Sequence, residues 1–242
     1  MPTPPSHPAV LAAESLARAH HAHYDPSHDF HHVHRVTLLA LSIARSLPPP
    51  SSLDLLVVHL SALLHDLLDK KYLPAGASAS ARDRFESLWA PFSQDELSDE
   101  QRRLVERVVE NVSYSKEVRR IQNGEETEWH SECRELHCVQ DADKLDAIGA
   151  FGIMRCSAYS AITSRPLYLP PSTSSASDPA AAPKTDDSAI AHFHDKLFRL
   201  EGMMKTPRGR ELARKRTETM RRFVEDVERE WAEAVGEEGA EA

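Results

Sequence analysis

Across 242 residues the chain carries 29 Lys and Arg against 38 Asp and Glu, a formal net charge of -9, with 40% hydrophobic and 28% charged residues. That balance suits one globular domain with short tails and excludes a collagen, a mucin or a membrane bundle. The negative field repels a phosphate backbone, so no nucleic acid polymer is expected as a partner unless a local basic pocket overrides it.

Only 8 glycines and few alternating apolar and polar runs argue against a sheet, and the chain reads as all-α. Met1 to Pro8 is rich in Pro and Ser, has neither the basic nor the apolar region of a secretory signal, and reads as a flexible tail. Ala9 to His23 is Ala-rich and helix-favouring until the turn formers Tyr24, Asp25, Pro26 and Ser27 break it. In the next helix His32, Val36, Leu39, Ile43 and Leu47 recur at helical spacing, so His32 leads a buried stripe that Pro48, Pro49 and Pro50 end. The apolar stretch Val36 to Leu47, interrupted by Ser42 and Arg45, falls short of the ~20 residues a bilayer span needs, and no membrane contact is expected. Ser51 or Ser52 can cap a third helix running to about Leu68, with Leu55, Val58, Ala62, His65 and Asp69 on one face.

Ser98 followed by Gln101 has the form of a capping box, opening a helix through Leu104, Val105, Val108 and Val109 towards Tyr114. Gly124 with Glu125, Glu126 and Glu128 is a polar surface loop. Leu136 to Ile162 reads as helix again, with Gly149 and Gly152 marking the close approach of another helix. Cys133, Cys138 and Cys156 are odd in number and lack zinc-knuckle spacing; they read as free thiols in a reducing compartment, the cytoplasm with nuclear access open. Arg165 to Asp187 sets five prolines among Ser and Ala and reads as a mobile insertion within one domain spanning 9–235. Thr206 and Pro207 fit an N-cap and first helical position. The long amphipathic helix they open passes through Leu212, Met220, Phe223, Val227 and Trp231, and residues 236–242 form a second tail.

Seven of the 14 histidines fall between His20 and His34. Three clusters carry His or Asp on otherwise inward stripes: HDFHHVHR (His28 to Arg35), ALLHDLLDKK (Ala62 to Lys71) and VQDADKLDA (Val139 to Ala147). An unpaired polar group buried there costs about 1–3 kcal/mol, which a bound metal ion removes. Imidazole nitrogen with carboxylate oxygen suits Mn, Ni, Co, Fe or Zn, with Mg also possible, and a set of two His and two Asp leaves positions open for water and substrate. His31 and His34 lie about 100 and 200 degrees around the helix from His32 and read as solvated surface. His28 reads as surface in preference to a loop residue near the substrate, and Asp141, Asp143 and Asp146 compete for the last position, Asp141 also as a helix cap.

Together these clusters resemble the HD-domain superfamily of metal-dependent phosphohydrolases, whose pattern is a first His, a later His-Asp doublet and a final Asp on a further helix. In this resemblance His32 in HVHRV is the first ligand, His65 and Asp66 are the doublet, and Asp143 in DADKLDAIGAFGI is the last. ENVSYSK (Glu110 to Lys116), HDLLDKK and the run HFHDKLFRLEGMMKTPRGRELARKR (His192 to Arg216) are similar to stand-alone members acting on nucleotides. The resemblance implies an all-α helical bundle, a single divalent ion and hydrolysis of a phosphate ester or pyrophosphate bond. Asp69, one turn beyond His65, then orients or deprotonates the attacking water, with Lys71 completing a DxK arrangement. Arg35, Lys116, Lys144 and Lys196 are candidate phosphate clamps, since a dianionic substrate has to enter a chain of net negative charge. The rival readings are a nucleotide-binding sensor without turnover and an iron oxygenase, which would need further buried His ligands.

Overall fold

A computed structural model describes residues 7–48, 53–68, 81–170 and 187–236. The described residues form eleven α-helices and no strand, as the all-α reading expects. None of its described helices is long and apolar enough to cross a membrane.

α1 (Pro8–His21) begins with Pro at its first position, so Pro8 belongs to the helix rather than to the tail. Asp29 caps α2 (Phe30–Ser46) by accepting from the His32 N–H at 3.1 Å, and the helix ends before Pro48. α3 (Leu55–Leu64) is capped by Asp54, whose carboxylate accepts from the N–H groups of Leu56 and Val57 at 2.8 and 3.2 Å. Asp54 thus takes the role expected of Ser51 or Ser52. The helix also stops earlier than expected, because after His65 the chain tightens into a turn in which the Leu67 N–H meets Leu64 O at 3.0 Å.

α3 is apolar on almost every side because it lies between two cores. Val58 and Ala62 join the larger one, with Val36, Ala40 and Ile43 of α2. Val57, Leu60 and Leu64 face the smaller one, with Ala13 and Ala17 of α1. α4 (Ala81–Trp89) adds Phe85 and Trp89 to the smaller core, and α5 (Asp99–Asn111) adds Val105 and Val109. The capping box opens α5 as expected: Ser98 Oγ accepts from the Gln101 N–H at 3.2 Å and Gln101 Oε1 accepts from the Ser98 N–H at 3.0 Å. Gln101 Nε2 also donates to Asp54 Oδ2 at 2.8 Å, which ties the starts of α3 and α5 together.

α5 ends at Asn111, short of Tyr114, and α6 (Tyr114–Asn123) restarts the helix after a break at Val112 and Ser113. Gly124, at φ 67, closes α6. The short α7 (Glu128–Glu132) leads into α8 (Arg134–Asp146), which packs along α2 and supplies Leu136, Val139 and Leu145 to the larger core.

The continuous helix expected over 136–162 is broken at Ala147 and Ile148, where the backbone of Ile148 is extended, and α9 (Gly149–Ile162) starts beyond the break. Gly149 permits that break at φ +77, and a Cβ on it would lie 2.9 Å from the Arg216 side chain. Another helix does therefore approach Gly149; at Gly152 the crowding atom is the carbonyl of Ala147, in the same connection.

α10 (Ala189–Asp195), a 3₁₀ helix (Leu197–Met203) and α11 (Pro207–Val235) complete the bundle. Thr206 and Pro207 open α11 as expected, Thr206 Oγ1 accepting from the Gly209 N–H at 2.9 Å. Asp141 does not cap its own helix. Buried in α8, its carboxylate accepts from the Lys205 N–H at 2.9 Å, the Thr206 N–H at 2.8 Å and the Thr206 hydroxyl at 2.7 Å, anchoring the start of α11. The mobile insertion expected over 165–187 falls mostly on residues 171–186, which lie outside the described residues, as do 1–6 and 237–242.

Candidate active site

α2 packs against both α3 and α8, and this brings together residues 32, 65–66 and 143. His32 Nε2 lies 3.2 Å from His65 Nε2, while Asp66 Oδ2 is 3.4 Å from the first and 3.3 Å from the second. Asp143 Oδ1 closes the group at 3.7 and 3.9 Å from the same two nitrogens. Both imidazoles are buried, whereas the two carboxylates reach partly into an open cavity.

The outer edges of the rings fix what the inner edges present. His65 Nδ1 donates to Ala62 O at 2.8 Å, and His32 Nδ1 donates to Asp146 Oδ2 at 2.8 Å. With the proton on Nδ1 in each neutral ring, both Nε2 atoms carry lone pairs aimed at each other and at two carboxylates. Four mutually facing acceptors require positive charge between them. Burial disfavours a charged His65, but the Asp66 carboxylate outweighs it and pushes the imidazole up to about 9. Burial likewise opposes ionisation of Asp66, and His65 and His32 nevertheless hold its carboxyl well below the usual range. The set of two imidazoles and two carboxylates fits a divalent transition ion, with His32, His65 and Asp66 alone offering ligand atoms all within 4.8 Å of one another.

Asp146, a competitor for the last ligand position in the sequence, turns the other way. It is 1% exposed and receives Arg35 Nε at 2.7 Å and Nη2 at 3.0 Å, and Arg155 Nη1 at 3.2 Å, besides His32. Burial raises its carboxyl pKa, yet the hydrogen bonds from His32 and Arg35 hold it well below the ordinary value. Its place behind His32 fixes ring orientation and tautomer. Arg35, expected as a phosphate clamp, is spent on this carboxylate and stacks over Phe151 at 4.4 Å; it is not among the side chains lining the cavity.

The cavity in front of the four residues has a volume of about 480 Å³. Lys116, Arg119, Lys144, Arg155 and Lys196 line it, so a locally basic wall stands opposite the acidic cluster in a chain of net negative charge. Lys116 donates to Glu110 O at 2.9 Å, and Lys196 lies 4.8 Å above the Tyr114 ring. Lys144 is almost wholly buried, with Nζ 2.6 Å from Glu117 Oε2, while Lys205 Nζ holds Glu117 Oε1 at 2.9 Å. Arg119, Arg155, Ser113 and His28 were not singled out as site residues from the sequence, His28 having been read as surface. The signal for Ser113 lay inside ENVSYSK, whose backbone break turns residues 113–116 onto the wall. Asp69 and Lys71 lie outside the described residues.

Glu117 works against burial, with Lys144 and then Lys205 holding its carboxyl below the usual value. A carboxyl depressed in the fold stabilises above the unfolded Glu value of about 4.3, and that contribution is lost as pH falls through the folded value. Glu117→Gln is therefore expected to lower stability by about 2 kcal/mol at neutral pH. Its stability should also decline less steeply than the parent's below about pH 4. Urea unfolding at pH 7 and pH 3.5 measures both, and an equal acid dependence would reject the ion pair as its source.

The HD domain family model matches residues 29–148, which contain all four converging side chains. A Bacillus subtilis protein, YpgQ, described as uncharacterized, is 33% identical over 205 residues, 84% of each chain. The crystal structure of Bacillus subtilis YpgQ in complex with ADP is similar at a TM-score of 0.67 and 28% identity, covering 91% of this chain and 97% of that one. A Lactobacillus plantarum structure gives 0.69 at 26% identity, covering 93% and 98%. An HD-superfamily hydrolase from Bacillus thuringiensis shares the fold, with a TM-score of 0.61 at 24% identity over 92% and 96%. The chain belongs to the HD domain family.

Proposed function

We propose that the protein is a divalent-metal-dependent phosphohydrolase that cleaves a phosphate ester or pyrophosphate bond of a small phosphorylated molecule, a nucleotide. The observation that carries this reading is the convergence of His32, His65, Asp66 and Asp143 at the floor of a cavity whose wall is basic. The ADP bound to Bacillus subtilis YpgQ supports a nucleotide as the ligand.

In this proposal the four residues hold one ion, for which Mn, Ni, Co, Fe or Zn suits the mixed nitrogen and oxygen donors and Mg is also possible. When bound, the ion supplies Lewis acidity to a water and to a phosphoryl oxygen. Lys116, Arg119 and Lys196 hold the phosphate oxygens and balance the charge that grows on them in the transition state. Lys144, paired with Glu117, contributes a fixed cation to the same wall. Arg155 bridges the wall and Asp146, so the phosphate side of the cavity and the orientation of His32 are mechanically linked. Asp69 takes the proton of the attacking water, and Lys71 assists it.

The experiment is a screen of purified protein against nucleoside mono-, di- and triphosphates with Mn, Co, Ni, Zn, Fe and Mg, resolving phosphate from pyrophosphate as product. Metal-dependent turnover is expected; tight nucleotide binding with no hydrolysis in any combination would make the protein a sensor. Asp69→Asn keeps size and hydrogen-bonding reach but cannot accept a proton at neutral pH. It is expected to retain metal and to lose ~10²-fold in kcat. Unchanged kcat with full metal content would reject Asp69 as the proton acceptor.

A further inference from the structure

A second cavity of about 320 Å³ adjoins the first, walled by α9 and α10, and Arg155 and Lys196 line both. Arg165 is a further cation on its wall, beside His192 and Tyr159. No carboxylate lines it among the described residues, whereas the first cavity sets its basic wall against Asp66 and Asp143. A pocket whose charged walls are all positive favours an anion.

The end of α9 places Arg165. Beyond Ile162 the chain turns through Ser164 at φ 54, and the Arg165 N–H donates back to Ser160 O at 2.8 Å. The Ala189 N–H meets Pro166 O at 2.8 Å, which holds this turn against the start of α10. The guanidinium it presents is only partly satisfied. Arg165 Nη2 lies 3.1 Å from Asp187 Oδ1, on an exposed side chain where water weakens the pair. Arg165 Nε is buried and has no hydrogen-bond partner among the described residues. An unpaired buried donor on a charged group is costly, and an oxyanion removes that cost with a charge-assisted bond.

Arg155 adds positive charge at a fixed place, since its Nε donates to Ser27 O at 2.6 Å and its Nη1 to Asp146 Oδ2 at 3.2 Å. His192 registers the field of the cavity. Burial, then Lys196 and Arg165, push its imidazole down, and the opposing pull of Asp195 and Asp187 is smaller.

We infer that the second cavity is a phosphate subsite, distinct from the position over His32, His65, Asp66 and Asp143, in which Arg165 donates to the oxyanion. The phosphate is either a second phosphate group of the bound nucleotide, away from the one over the four residues, or free inorganic phosphate. The first source rests on the nucleotide reading above; the second does not. In the first case Arg155 and Lys196, common to both cavities, serve both phosphates of one molecule.

Nitrogen–proton NMR of the full-length protein with ¹⁵N-labelled arginine and Mg present follows the Arg165 Nε–H, assigned by its loss in Arg165→Lys. Inorganic phosphate, AMP and adenosine 3′,5′-bisphosphate are titrated in turn, and calorimetry gives their affinities for the parent and for Arg165→Gln. The Arg165 signal is expected to move saturably with inorganic phosphate or the bisphosphate and to stay in place with AMP. If the second phosphate belongs to the nucleotide, the bisphosphate binds about tenfold or more tightly than AMP, and Arg165→Gln removes that advantage. If it is free phosphate, AMP and the bisphosphate bind alike, and inorganic phosphate moves the Arg165 signal with AMP already bound.

An Arg165 signal that neither inorganic phosphate nor the bisphosphate moves would overturn the proposal, while nucleotide hydrolysis by the same protein left the phosphohydrolase reading intact. A signal moved equally by AMP and the bisphosphate, and not by inorganic phosphate, would also overturn it and give the cavity to the body of the nucleotide. No binding of either nucleotide, with inorganic phosphate still moving Arg165, would overturn the nucleotide reading and keep the subsite. The parent spectrum carries the test even where Arg165→Gln fails to fold.

Discussion

Asp66→Ala is expected to abolish metal retention and hydrolysis together. Asp66 Oδ2 lies within 3.4 Å of both inward imidazole nitrogens, nearer than any other described carboxylate on that side of the rings. Its loss leaves the inward nitrogens of His32 and His65 with one described carboxylate, Asp143, at 3.7 Å or more. Two imidazoles and a distant oxygen do not compete with water for a divalent ion, so metal content after gel filtration should fall below one tenth of the parent's, and kcat by ~10³-fold or more. The helical circular dichroism should persist, because Asp66 contributes no apolar surface to either core. Retained metal with retained turnover would remove these residues from the reaction altogether.

Asp146→Asn acts one layer further back and should show the largest loss of stability. The buried carboxylate receives three cationic or polarised groups, from His32, Arg35 and Arg155. An amide offers one oxygen and turns two protons towards donors, leaving at least one guanidinium without its counter-charge. Breaking a buried pair in this way costs about 3–5 kcal/mol. Because the amide can also present an oxygen only in some orientations, His32 loses its fixed tautomer, and metal affinity should drop about 10–100-fold. Thermal unfolding and competitive metal titration measure the two effects separately. A variant with weakened metal binding but unchanged unfolding would show that the Arg35 and Arg155 contacts contribute little to stability.

The helices and their local signals were readable in the sequence because each is written within a few residues. The Ser98 and Gln101 box, the Thr206–Pro207 start and the stripe led by His32 all depend on neighbours three or four positions away. The roles of Asp143 and Asp146 were not separable in this way. They share a helix three residues apart, and what separates them is Arg35, 111 residues distant from Asp146 in sequence. The cap of α3 was misplaced for a similar reason: Asp54 is held by Gln101, 47 residues away, and its backbone N–H donates to Glu135 Oε1 at 2.9 Å. His28 has a local hydrogen-bond partner in Ser27, but its place on a cavity wall depends on Arg155 of α9.

The anchoring of α11 by Asp141 sets an order of events for a chain made from its N-terminus. By the time residue 148 is complete, the family-matched segment and every proposed metal ligand exist. Asp141 at that stage is a carboxylate destined for the interior with none of these donors, since the Lys205 N–H lies 64 residues beyond it in the sequence. Arg216, which donates to Leu145 O near the end of α8, comes later still. A nascent chain therefore holds all the ligands of the site before it can close the helix that carries Asp143. A premature stop anywhere between residues 148 and 205 would silence the site even though the lost segment supplies none of its four converging residues.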